Sequence, residues 1–253
     1  MDSVINISDL GAVRVIELNR PEKRNALNDE LIAALKQALL AADADESLRA
    51  VIIRGAGKDF CSGADLSALQ KIAAASHEEN LEDAKSLAAV FAMIRTMDIP
   101  VIAAVHGRAL AGGCGLATAC DLVVATRSAR FGYPEVKIGF VPAIVMTYLR
   151  RNVSEKRAFE LATRGAEFSA AAAFEMGLVN RIFDENGFDE AVVEYASAYE
   201  SVSRSAVAMS KDLLYRIDGM DFDAAIDAGS EVNAKARMSE DCRKGIAKFL
   251  DKT

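Results

Sequence analysis

This sequence predicts an α/β fold, on three observations. Short β-rich runs alternate with helical patterns, two of those runs pass through glycine-containing turns into helices, and after about residue 187 the pattern is helical throughout. The first strand-like run is VRVIEL at 13 to 18, and the second is AVII at 50 to 53. Between them Leu31, Ile32, Leu35, Ala38 and Leu39 recur at helical spacing, with Asn28 as N-cap and Asp29 and Glu30 in the first turn, where the helix dipole favours acids. Residues 67 to 80, SALQKIAAASHEEN, lose clear periodicity and are expected to be mobile, as a flexible pocket wall or as an ordinary surface connection. VIAAV at 101 to 105, DLVVA at 121 to 125 and LVNRI at 178 to 182 are the remaining strand-like runs. Beyond them Val202, Ala206, Met209, Leu213 and Ile217 mark an apolar stripe, and FDAAIDAGSEVNAKARM reads as another helix. No Pro- or Ser-rich linker intervenes, so residues 1–187 are expected to form an α/β core and residues 188–253 a helical region packed on it or on another subunit.

The chain has 253 residues, 51% hydrophobic and 26% charged, enough to bury a sizeable core and without the signature of disorder. Its net charge of −7 argues against a nucleic-acid partner held by bulk electrostatics, while leaving room for a local basic cluster that holds a phosphorylated small molecule. The opening MDSVINISDL has no basic region leading into an apolar core, and no apolar run is long enough to span a bilayer. A cytoplasmic protein without membrane contact is therefore expected. Cys61, Cys114, Cys120 and Cys242 show no C-x-x-C pairing, and His77 and His106 lie far apart in sequence, which argues against a disulfide framework or a metal site.

Two segments share one design, a strand running into a glycine-containing turn and then a helix: VIIRGAGKDFCSGADL at 51 to 66 and VIAAVHGRALAGGCGLATACD at 101 to 121. Glycine admits a close approach to the backbone, and a helix start leaves amide N–H groups unpaired and directed outward. Two such turns facing each other would offer paired donors to a developing oxyanion. Neither matches a nucleotide loop: GAGKD lacks the spacing of G-x-x-x-x-G-K-[ST], and AGGCGL lacks G-x-G-x-x-G with its downstream acid. Ser62 and Cys61 are nucleophiles by type, but no G-x-S-x-G elbow surrounds them, and the structural reading is preferred. His106 reads as a packing or hydrogen-bonding residue. In ARFGYPEVKIGFVP at 129 to 142, Pro134 precedes Glu135, and Val136, Ile138, Phe140 and Val141 surround it with apolar groups. Glu135 is then either a general base whose pKa is raised by desolvation or an acid in the first turn after a proline.

Taken together, LNRPEKRNALN at 18 to 28, KDFCSGADL at 58 to 66, ALAGGCGLATACD and FGYPEVKIGFVP resemble, in order, four segments of the crotonase superfamily, the enoyl-CoA hydratase/isomerase family. The resemblance covers nearly the whole chain. It implies a spiral of ββα turns with a C-terminal helical region, a homotrimer or dimer of trimers, and an acyl-CoA thioester substrate whose coenzyme A is part of the substrate, with no separate cofactor. By position it makes the backbone N–H groups of Ala64 and Gly112 the oxyanion donors and Glu135 the acid/base. It also places coenzyme A against Lys23, Arg24, Ala26 and Ser62, with Asp65 and Leu66 in the same loop. FLDK near the C-terminus resembles the family's F-x-x-K, which implies contacts from Phe249 and Lys252, within the subunit or across a subunit boundary, and closure of the site by residues 188–253.

Hydratases of this family carry two glutamates, one three residues after the second oxyanion glycine and one twenty residues further on; here those positions are Gly115 and Glu135. Adding water to a 2-enoyl thioester divides its proton transfers between the two acids. Moving a double bond from position 3 to position 2 needs one base that takes the α proton and returns it at the γ carbon. The single carboxylate therefore favours isomerisation, with hydration the close alternative, Tyr133 or a backbone group then helping to position water. Thioester hydrolysis is disfavoured because Ala143 follows Pro142 where the related hydrolases carry an Asp. A non-catalytic acyl-CoA-binding protein is the alternative of a different class.

Overall fold

In the computed structural model, residues 3–251 are described, the side chain of Leu66 excepted. The chain opens with β1 (Ile5–Leu10), turns at Gly11 and returns antiparallel as β2 (Val13–Leu18). Helix α1 (Asp29–Asp43) starts at Asn28, whose side chain accepts the Leu31 N–H, and leads to β3 (Ala50–Gly55). The stretch at 67 to 80, where periodicity is weak, lies in two helices, α2 (Leu66–Ala74) and the start of α3 (His77–Thr96). The local reason is capping: Asp65 caps α2, and Ser76 and Glu79 form a reciprocal capping box on α3, supplying start signals that the weak apolar periodicity hid.

The central part alternates strand and helix: β4 (Val101–Val105), β5 (Arg108–Leu110), α4 (Gly112–Ala119), β6 (Leu122–Thr126) and β7 (Arg130–Gly132). Next come α5 (Ala143–Asn152), α6 (Glu155–Arg164), β8 (Glu167–Ser169), α7 (Ala170–Glu175) and β9 (Arg181–Phe183). The helices α8 (Phe188–Ser197), α9 (Arg204–Arg216), α10 (Phe222–Met238) and α11 (Glu240–Leu250) complete the chain.

Six strands form one sheet in the order β1-β2-β3-β4-β6-β9, parallel from β2 onward, with Val51 opposite Val101 and Ile102 opposite Leu122. Period-two alternation divides its side chains between two cores. Ile16, Leu18, Val51, Ile53, Val101, Ala103 and Val105 join α1, α3 and α4 on one face, while Val13, Val15, Ala50, Ile52, Ile102 and Ala104 meet Phe188, Val192 and Ala196 of α8 on the other. With both faces covered, VIAAV is buried at every position, as a central parallel strand must be. The first helix of the expected C-terminal region thus belongs to the core layer, because the sheet's second face has to be closed.

A small second sheet, β5-β7-β8, lies beside the first, and Cys61 extends it through a parallel bridge to Ala109. Three successive turns of chain therefore repeat a large-sheet strand, a small-sheet segment and a helix: β3, Cys61, α2; then β4, β5, α4; then β6, β7, α5. This is the expected spiral of ββα units.

The expected stripe on α9 is only partly covered, and the buried side chain of that helix is Lys211. Its ammonium donates to the carbonyls of Ile94 (2.7 Å) and Ile99 (2.9 Å) and pairs with Asp121 at 2.7 Å. The Tyr215 hydroxyl donates to the other Asp121 oxygen. The Arg95 guanidinium stacks 4.3 Å from the Tyr215 ring and 4.8 Å from that of Tyr148. A buried charge network, rather than an apolar seam, ties this region to the core.

Candidate active site

The small sheet positions the candidate groups. Cys61, β5 and β7 are adjacent parallel segments, and the chain just beyond them carries Ala64, Gly112 and Glu135 respectively. In open α/β sheets the region past the carboxyl ends of parallel strands is where ligands gather, because successive turns expose their backbone there.

Ala64 is exposed and forms a parallel bridge with Leu27. Leu27 makes both bridging hydrogen bonds with Ala64's neighbours, donating to the Gly63 carbonyl (2.6 Å) and accepting from the Asp65 N–H (3.2 Å). The Ala64 N–H consequently points away from Leu27. Gly112 opens α4 as its first residue, with an N–H that has no partner among the described residues. The two loops touch: a Cβ on Gly63 would stand 3.4 Å from the Gly112 nitrogen, and one on Gly113 would collide with the Cys61 carbonyl at 2.3 Å. Glycine at 63 and 113 is what lets these two loops approach this closely.

Glu135 sits in a 3-10 turn, Pro134–Ile138, started by the proline. It is 9% exposed, its Oε2 is buried without a hydrogen-bond partner among the described residues, and burial raises its pKa above the ordinary carboxylate value. Beneath it Tyr133 is fully buried, with its hydroxyl 2.6 Å from Thr118 Oγ1. Thr118 donates its own proton to the Cys114 carbonyl, so Tyr133 is the donor in that pair. Ile138, Phe140 and Val141, which follow Glu135 in the chain, are exposed apolar side chains.

The second acid position is closed. Gly115 is buried within α4, and a Cβ there would lie 2.4 Å from Val145 Cγ2 and 3.3 Å from Phe91 Cε2. The space a glutamate would need is occupied by the α5 side chain and the α3 ring.

Of the residues expected around coenzyme A, the structure brings Lys23, Arg24, Ala26 and Ser62 together at the first loop. Lys23 and Arg24 are exposed, Ala26 is buried, and the Ser62 N–H donates to the Arg24 carbonyl at 3.0 Å. Asp65 has a different task. Burial pushes its carboxyl up, but Ser67, the Ala68 N–H and the Arg20 guanidinium outweigh that and hold it at about 2, so its oxygens cap α2 and brace the loop. Phe249 is on α11, which rests on α9 and α10, and its side chain is exposed. Lys252 and the Leu66 side chain lie outside the described residues. Cys61 is buried with its thiol pushed up to about 12, which leaves it protonated and unsuited to attack, and His106 Nε2 is 3.0 Å from the Gly57 carbonyl.

Several supports were not singled out in the sequence. Arg20 joins the opening segment to the first loop by donating to Asp65 at 2.9 Å and to the Ala26 carbonyl. Asn25 is fully buried and left-handed (φ 54°), accepting from the Arg20 N–H and donating to the carbonyls of Ala56 and Asp59. Its available signal was its place between RPEKR and ALN, since asparagine tolerates positive φ. Val145 and Phe91 carried no signal, because their role depends on which helices meet α4.

The sequence model of the enoyl-CoA hydratase/isomerase family matches residues 9–253. A protein of Thermus thermophilus carrying an enoyl-CoA hydratase designation is 41% identical over 96% of each chain. The crotonyl-CoA hydratase of Syntrophomonas wolfei is 34% identical over 94% of this chain and 91% of its own. Among solved structures, an enoyl-CoA hydratase of Mycobacterium smegmatis superposes with a TM-score of 0.94 at 36% identity, covering 99% of this chain and 97% of that one. Human enoyl-CoA hydratase domain-containing protein 3 superposes with a TM-score of 0.92 at 30% identity, covering 98% of both. With the same fold and a match along almost its full length, this chain belongs to the enoyl-CoA hydratase/isomerase family of enzymes.

Proposed function

We propose that this enzyme acts on an acyl-CoA thioester through an enolate held by the Ala64 and Gly112 N–H groups, with Glu135 as its single acid/base, and that its favoured reaction is double-bond isomerisation of an enoyl-CoA. The observation that carries this reading is the placement of all three groups just past the same ends of three adjacent parallel segments. Glu135, desolvated and with one oxygen unpartnered, removes the α proton of a 3-enoyl thioester. Negative charge moves to the thioester oxygen, where two amide donors meet it; in other enzymes loss of one such donor costs about 3 kcal/mol of barrier stabilisation. The same carboxyl returns the proton at the γ carbon, giving the 2-enoyl thioester, so atoms and charge balance without a cofactor beyond the substrate's own coenzyme A. Lys23 and Arg24 are exposed cations suited to its phosphates, and Ile138, Phe140 and Val141 suit an acyl chain.

Hydration is the second reading, favoured by the designations of the relatives. Against it stands Gly115, where Val145 and Phe91 leave no room for the acid that would share in activating water. Matched 2-enoyl- and 3-enoyl-CoA substrates incubated in deuterated water and read by mass spectrometry decide between them. A shifted double bond without added water is the expected result; water added to the 2-enoyl substrate at an enzymic rate would reverse the preference.

We further propose a homotrimer or dimer of trimers, in which the C-terminal helices supply the subunit contacts and help to close the coenzyme A site. Phe222, Met238 and Phe249 support this, being 78%, 68% and 73% exposed on those helices, and sedimentation velocity tests it.

A further inference from the structure

Ala111, between β5 and α4, holds a backbone conformation that suits glycine and not alanine, with φ 49° and ψ −127°. A methyl group there is strained, and such strain persists only where the surroundings over-determine it. Three contacts do so. The Ala111 N–H donates to the Gly132 carbonyl at 2.9 Å, three residues before Glu135. Its own carbonyl accepts the Gly115 N–H at 2.9 Å, closing the first turn of α4 directly behind Gly112. Its methyl group fills the space in front of Gly63, where a Cβ would come within 2.7 Å of it. One residue thus touches the first donor loop, starts the second and is bonded to the strand leading to the acid.

We propose that Ala111 is a positioning residue: its strained backbone turns the Gly112 N–H outward, and its methyl group acts as a spacer that fixes how closely the Gly63–Ala64 loop approaches. This rests on the enolate reading given above. A glycine would adopt the same turn at no steric cost, so the methyl group brings strain that folding alone does not require. What it adds is a fixed separation between two donors that must converge on one oxygen atom.

The test is Ala111→Gly, which keeps the left-handed turn accessible and so does not threaten folding. Two ligands separate the roles. Acetoacetyl-CoA is acidic between its carbonyls, and its enolate is read by ultraviolet absorbance; S-butyl-CoA, a thioether, has no carbonyl and reports the remaining contacts. Relief of strain, less the extra freedom that glycine gives the unfolded chain, should raise the unfolding midpoint by about 2–4 °C. Enolate-form binding of acetoacetyl-CoA should weaken about tenfold, with S-butyl-CoA affinity unchanged. Unchanged enolate binding in the variant would leave Ala111 as a strained turn with no positioning role and overturn the proposal. A lowered midpoint would overturn the strain on which it depends. Should the wild-type enzyme bind S-butyl-CoA but never acetoacetyl-CoA as its enolate, the enolate reading falls, and this proposal with it.

Discussion

Gly115→Ala examines the closure of the second acid position without adding charge. The new Cβ would lie 2.4 Å from Val145 Cγ2, and 3.3 and 3.4 Å from two atoms of the Phe91 ring, in a helix buried from Gly113 to Ala119. Contacts between carbon atoms prefer about 3.5–4.0 Å, so Val145 or α4 has to move by more than an ångström. Overpacking of this kind costs about 1–3 kcal/mol, against which alanine gains about 1 kcal/mol over glycine in a helix. The net destabilisation is up to about 2 kcal/mol, a fall of up to about 8 °C in the unfolding midpoint for a chain of this length. Val145→Ala alone should cost about 2–3 kcal/mol, from two lost methyl groups and the cavity they leave. In that background Gly115→Ala finds room and should instead stabilise by about 1 kcal/mol. The assay is a double-mutant cycle in thermal or chemical denaturation, with an expected coupling of about 1–3 kcal/mol. Equal cost of Gly115→Ala in both backgrounds would refute the claim that Val145 occupies this space. If the cycle holds, a glutamate at 115 can enter only together with a smaller residue at 145.

Glu135→Gln should lower turnover by about 10²–10⁴-fold while acyl-CoA binding survives, measured by steady-state kinetics and calorimetry. Because burial raises the Glu135 pKa, activity should rise with pH through a value above the ordinary carboxylate range, and a limb at the unperturbed value would contradict the desolvated base. The same shift sets a sign for stability. A raised folded-state pKa favours folding below the unfolded value, and that contribution is lost as pH rises through the folded one, so Glu135→Gln should be more stable than wild type at neutral pH and equal to it in acid, read by denaturation at both. Lys211→Met leaves Asp121 with the Tyr215 hydroxyl and the Val101 N–H but no cation against it among the described residues, and should cost about 3–5 kcal/mol in denaturation. Hydrogen exchange should then quicken in α9 first, and unaltered protection there would show that the network does not anchor the helix.

Much of the fold was legible because its signals are local. VRVIEL and VIAAV coincide with β2 and β4, Asn28 caps α1 as read, and the glycines at 112 and 113 marked a helix start with exposed backbone. LVNRI shows the limit: β9 begins only at Arg181, since Leu178 and Val179 are buried in the turn after α7 and not in the ladder. The aperiodic stretch at 67 to 80 forms α2 and the first turn of α3, because capping outweighed poor periodicity. On α9, an apolar stripe drew attention while the buried anchor was a lysine, whose partners Ile94, Ile99 and Asp121 are about a hundred residues away in sequence.

Sequence alone settles the fold class, the family and the candidates for donor and acid, because each rests on residue type at short spacing: glycines where backbone must approach, a proline that starts the turn carrying Glu135, and a glycine where a second glutamate would stand. Tertiary structure decides what those candidates can do. Convergence of Ala64, Gly112 and Glu135 follows from the parallel bridge between Cys61 and Ala109, a pairing across 48 residues that no local pattern encodes. The meaning of Gly115 follows from Val145 and Phe91, on helices after and before it. Read in sequence, that glycine is a missing acid. In the folded chain it is a filled position, and the physical reason is packing: once two side chains hold the space at van der Waals contact, neither a carboxylate nor a water can take their place without moving them.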